Sequence, residues 1–110
     1  MQHAATYVVG GKKGWAGVKG WTADLSPNDV LVFKWGNRAL DGLFGPKHSV
    51  AIPKSLASLN TCNTKDVEKM VVKPTRKAKK SYTLGPINPP RFFSTVGKDC
   101  KNGIKFSLGL

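Results

Sequence analysis

The sequence predicts an all-β domain, a sandwich or barrel with one short helix, and three observations carry that expectation. The apolar runs are short and rich in β-branched and aromatic residues, the composition of strands. Glycine and proline, 12 and 7 of the 110 residues, punctuate the chain between those runs. Strands recurring at this spacing favour two packed sheets or a closed barrel, and the length places residues 1–110 in a single domain.

The elements follow in order. Tyr7, Val8 and Val9 form the first strand, ahead of a glycine-rich basic turn at residues 10–14. Val30 to Trp35 form the second, introduced by Ser26-Pro27-Asn28-Asp29, which reads as a type I turn with proline at its second position. Residues 48–52, 70–72, 91–95 and 104–108 complete the strands, the last alternating apolar and polar as a half-buried strand does. A helix is expected over residues 54–59, where Pro53 supplies a fixed φ at the start and Leu56 and Leu59 share a face. The one low-complexity stretch, Lys-Pro-Thr-Arg-Lys-Ala-Lys-Lys at residues 73–80, reads as a solvated loop or an edge strand.

Eighteen Lys and Arg against six Asp and Glu give a net charge of +12, which attracts polyanions whatever the fold. Nucleic acid, an anionic membrane surface and acidic polysaccharide are the partner classes this admits. No apolar run approaches the roughly 20 residues of a membrane span, and no signal-peptide pattern opens the chain, so a soluble domain with any targeting segment removed is expected. The two cysteines, Cys62 and Cys100, are compatible by spacing with a disulfide, half of a metal site or two separate thiols. Without a CxxC pair and with only two histidines, a zinc site is the poorer reading, and one bridge in an oxidising compartment is preferred.

Enzymatic chemistry finds little support. The six acids, Asp24, Asp29, Asp41, Asp66, Glu68 and Asp99, are scattered without a paired motif, and no Ser/His/Asp signature is present. Residues 10–14 lack the Gly-Lys-Ser/Thr ending of a phosphate loop. The expectation is a protein that is not an enzyme.

Several short motifs then fall in one order. Tyr7-Val8-Val9-Gly10-Gly11 with Gly14-Trp15, Asn28-Asp29-Val30-Leu31-Val32-Phe33, His48-Ser49-Val50, Cys62-Asn63-Thr64, and Phe92-Phe93 with Cys100, Gly103 and Lys105 together span nearly the whole chain. In this order and spacing the chain resembles the phytocyanins, the plant cupredoxins that include plantacyanin, stellacyanin and uclacyanin. The resemblance implies a cupredoxin-like Greek-key sandwich of seven or eight strands, a Cys62–Cys100 disulfide, and secretion to the plant extracellular space or cell wall. Closing that loop of about 39 residues would contribute roughly 4 kcal/mol.

The resemblance also locates a copper site and shows it dismantled. A blue copper centre takes two imidazoles and a thiolate, with a weak axial ligand. Aligned through Cys100, the ligand cysteine falls on Ser94, the second histidine on Asp99 and the axial residue on Ile104, so His48 alone is retained. No resident cofactor is expected, and copper only at a non-blue site, with His48 and Asp99 as weak candidates. A separate terminal chelate could form at His3. The missing ligands resemble those of early-nodulin-like phytocyanins.

Function is therefore sought at the basic surface. The candidate polyanion-binding residues are Lys73, Arg76, Lys77, Lys79 and Lys80, with acidic cell-wall polysaccharide or glycoprotein as partner and a cell-surface receptor as a further one. The alternatives are a copper-binding or electron-transfer cupredoxin centred on His48, and a basic nucleic-acid-binding barrel. The last is disfavoured because Trp15, Trp21, Trp35, Phe92 and Phe93 fall on turns and core strands of the resembled fold instead of on a stacking surface. In the segment 36–46, Leu40, Leu43 and Phe44 could form an exposed apolar patch that marks a partner site or fold inward over the vacated copper pocket, and inward folding is the expectation.

Overall fold

In the computed structural model, which describes residues 5–36, 40–85 and 90–107, alternation along the second strand sets the architecture. Leu31, Phe33 and Trp35 point into the core from β2 (Val30–Trp35), where β-branched and aromatic side chains suit a pleated surface. β2 is central in a three-stranded sheet, parallel to β1 (Thr6–Val8) and antiparallel to β5 (Ala78–Thr83). The second sheet runs in the order β4 (Val67–Thr75), β3 (His48–Pro53), β6 (Arg91–Phe93), β7 (Lys105–Ser107), antiparallel throughout. β4 and β5 are consecutive yet belong to different sheets, so the chain crosses between layers at residues 76 and 77.

The sheets close over Val9, Trp15, Val18, Leu31, Phe33, Trp35, Val50, Leu84, Phe92, Ile104 and Phe106. Trp15, Phe33, Phe92 and Tyr82 pack edge to face in a chain, with centroids 5.0, 4.9 and 5.4 Å apart, the geometry aromatic quadrupoles prefer. The Trp15 indole also donates from Nε1 to the Ser49 carbonyl at 2.7 Å, tying the turn after β1 to β3. Buried Asp29 accepts from the backbone amides of Ala5 at 2.9 Å and Ser26 at 2.8 Å, fixing the entry to β2.

Cys62 and Cys100 form a disulfide with Cα atoms 5.7 Å apart. It rests on a second small core of Ala51, Leu59 and Phe93. The helix leading into it, α2 (Leu56–Asn60), is capped by Ser55, whose Oγ accepts from the Ser58 amide at 3.1 Å; Pro53, expected to open the helix, instead ends β3. At its C-terminus the Asn63 amide donates to the Ser58 carbonyl and the Cys62 amide to that of Leu59, a Schellman closure.

Two further expectations need correction. Asn28 has φ 72°, so the turn before β2 is type II in character, a conformation asparagine tolerates better than most residues. A short helical turn, α1 (Asp41–Phe44), adds a second helix where one was expected. Of the two readings of residues 73–80, the edge strand is the one found: they are the end of β4, the crossing and the start of β5, the outer strands of their sheets. Among the described residues no helix is long and apolar enough to cross a membrane.

Candidate functional site

Three of the four aligned ligand positions meet at one end of the sandwich. His48 opens β3, Ser94 follows β6, and the β3–β6 pairing lets the Ser49 amide donate to Ser94 Oγ at 3.2 Å. Asp99 lies in the turn before Cys100, fixed by its amide to the Val96 carbonyl and by the Ile104 amide to its own carbonyl, both at 2.9 Å. Its Oδ2 receives the Ser94 hydroxyl at 2.7 Å and His48 Nδ1 at 2.7 Å. Beside them Ser49 Oγ and Thr95 Oγ1 are 2.7 Å apart. The fourth position, Ile104, is a core residue.

This donor set does not fit a blue copper. Both sulfurs are in the disulfide and the chain has no free cysteine, so no thiolate is available. Ser94 spends its proton on Asp99, Ile104 offers only hydrocarbon, and among the described residues no three His, Cys, Asp or Glu side chains converge. Nor is the cluster a Ser-His-Asp catalytic triad. In a triad the serine gives its proton to the imidazole; here serine and histidine both bond the same carboxylate oxygen, and Ser94 is fully buried.

No family model and no curated protein matches the sequence. Solved structures do. Cucumber basic protein, a blue copper protein, superposes with a TM-score of 0.70 at 22% identity, covering 96% of this chain and 98% of that one. The fold is phytocyanin-like. Cucumber stellacyanin, a Cu2+ protein, gives a TM-score of 0.67 at 22% identity over 97% of this chain and 96% of its own.

At the end of the phytocyanin-like sandwich that holds the cluster lies a cleft of about 660 Å³. Lys12, Lys13, Lys34, Arg76, Trp35 and His48 line it, with Gly14, Gly36 and Pro46 among the rest, and no acid is in its wall among the described residues. The walls come from the turn after β1, the end of β2, the start of β3 and the β4–β5 crossing. Two glycines let these segments meet. Gly14 has φ 70°, and a Cβ there would lie 2.6 Å from the Lys34 carbonyl; at Gly36, φ 71°, a Cβ would collide with the Arg76 carbonyl. Trp35 is held by its Nε1 donating to the Thr75 carbonyl at 2.8 Å, and its ring meets the His48 ring edge to face, 6.0 Å between centroids.

Of the five expected polyanion-binding residues, only Arg76 enters the cleft. Lys73, Lys77, Lys79 and Lys80 are exposed along the two outer strands and the crossing, and the contributions of Lys12, Lys13 and Lys34 were not expected. Lys12 and Lys13 left a trace in the sequence as the basic glycine-rich turn; Lys34 left none. The apolar residues of segment 36–46 do not fold inward: Leu40, Leu43 and Phe44 are 66%, 67% and 80% exposed. The cleft beside His48 stays open, and Ser94, His48 and Asp99 satisfy one another by hydrogen bonds without an apolar cover. Trp15, Trp35, Phe92 and Phe93 are buried, and Trp21 packs on Phe106. His3 lies outside the described residues.

Proposed function

We propose that the protein is a non-enzymatic, extracellular binding protein that engages acidic cell-wall polysaccharide or glycoprotein through its basic surface and carries no blue copper. The observation that carries this reading is a surplus of unpaired cations. Of 18 Lys and Arg, none among the described residues is ion-paired with an acid, and the one His–Asp pair lies within the polar cluster. The burial of Trp15, Trp35, Phe92 and Phe93 supports it too, because none of these four rings is open to a stacking base.

Binding to immobilised polygalacturonate tests the proposal. Retention is expected at low salt and is lost between about 0.01 and about 1 M, as the screening length falls from about 30 to about 3 Å. Replacing Lys73, Lys77, Lys79 and Lys80 by glutamine weakens it. No retention at low salt overturns the reading, and affinity that depends on base sequence in an oligonucleotide series would replace it with nucleic-acid recognition. A second reading, copper handling at a non-blue site, draws on the copper named in both neighbours and on the meeting of His48 with Asp99. It requires stoichiometric Cu(II) binding that His48→Ala abolishes.

A further inference from the structure

We infer that the cleft beside His48 is a discrete site for a short oligosaccharide bearing several carboxylates, a uronate oligomer, rather than one more part of a diffuse basic surface. The inference rests on the proposed engagement of acidic polysaccharide and gives that reading a specific place.

Four cations from three segments distant in sequence, Lys12 and Lys13, Lys34, and Arg76, face one concavity with no carboxylate in its wall among the described residues. Lys34 also stands directly opposite Lys79 in the β2–β5 ladder, a like-charge cross-strand pair. Gathering like charges costs free energy, none of these cations has an acidic partner among the described residues, and an anion entering the cleft relieves that repulsion. A concavity lined by one sign of charge also focuses the field on its interior.

The polar floor favours the same ligand. Among the described residues the acid at this end is Asp99, which accepts from both Ser94 and His48, so its charge is engaged behind the imidazole. That bond fixes the ring and leaves Nε2, which has no partner among the described residues, for a ligand hydroxyl or carboxylate. The volume of about 660 Å³ lies within the range of small-molecule sites, about 300–1,000 Å³, and far exceeds a single oxyanion. With cations on separate walls, the matching ligand carries anionic groups spaced along a neutral polar body. Arg76 supplies the planar fork that pairs with a carboxylate through two bonds.

Trigalacturonate, measured by calorimetry and by the His48 ring resonances, tests this. One-to-one binding with a shift of the His48 signals is expected. Lys34→Gln/Arg76→Gln should weaken it by about tenfold or more, as the loss of charge-assisted contacts predicts. Lys12→Gln/Lys13→Gln, on an exposed turn, should do the same without disturbing the fold. Lys54→Gln/Lys65→Gln, an equal charge change near the far end of β3, should alter affinity less than about twofold. Equal losses in all three variants overturn the inference. If polygalacturonate binds and trigalacturonate does not, the cleft is not the site and the broader reading stands; if neither binds, both fail.

Discussion

Asp99 holds the end of the sandwich together because one carboxylate oxygen accepts from both a hydroxyl and an imidazole. Removing it strands two largely buried donors, so Asp99→Ala is expected to cost about 2–4 kcal/mol in urea unfolding. Ser94→Ala takes a donor from Asp99 and also strands the buried Ser49 amide that bonds its Oγ, so it should cost about 1–3 kcal/mol. A smaller loss from Asp99→Ala than from Ser94→Ala would show that the serine, not the acid, organises the cluster. The meeting of His48, Ser94 and Asp99 was legible in the sequence, since alignment through Cys100 places all three at ligand positions. Their shared oxygen was not, because it depends on side-chain rotamers set across the β3–β6 pairing. The same limit hid the buried role of Asp29, which accepts two amides 3 and 24 positions away.

Among the elements, β2 was legible from the apolar run Val30-Leu31-Val32-Phe33 and β3 from Val50-Ala51-Ile52, whereas ends and connections were misjudged wherever one residue's φ or cap decided them. Ser55 starts α2 because its hydroxyl satisfies an amide that Pro53 could not reach, and Asn28 turns the chain through a positive φ. Cys62 is also left-handed, φ 53°, a strain of about 1–2 kcal/mol borne where glycine is usual, because its sulfur is bonded to Cys100. Gly36 has no such latitude: Gly36→Ala should destabilise by more than about 2 kcal/mol in thermal or chemical unfolding, from backbone strain together with collision against the Arg76 carbonyl. Phe44→Ser makes the opposite case. With the ring 80% exposed, stability should change by less than about 0.5 kcal/mol, and a larger loss would mean that α1 folds inward after all.

For the whole molecule, the disulfide closes a separation of 38 residues and ties α2 to the turn that carries Asp99. Thiol titration of the native protein should find none, and two after reduction. Opening the bridge should cost roughly 4 kcal/mol on the chain-entropy model. The net charge of +12 raises the expectation of a polyanion partner, yet the cleft itself was invisible, because its cations come from a turn, a strand and a crossing that only the packing of two sheets brings together. In this phytocyanin-like fold a hydrogen-bonded cluster of His48, Ser94 and Asp99, beside a cationic cleft, stands at the aligned ligand positions in place of a blue-copper donor set. Cu(II) titration of a His3→Ala variant, followed by visible absorption and calorimetry, is the decisive measurement. No intense visible thiolate-to-copper band and no tight stoichiometric uptake are expected; an intense blue band would mean that these residues hold copper after all.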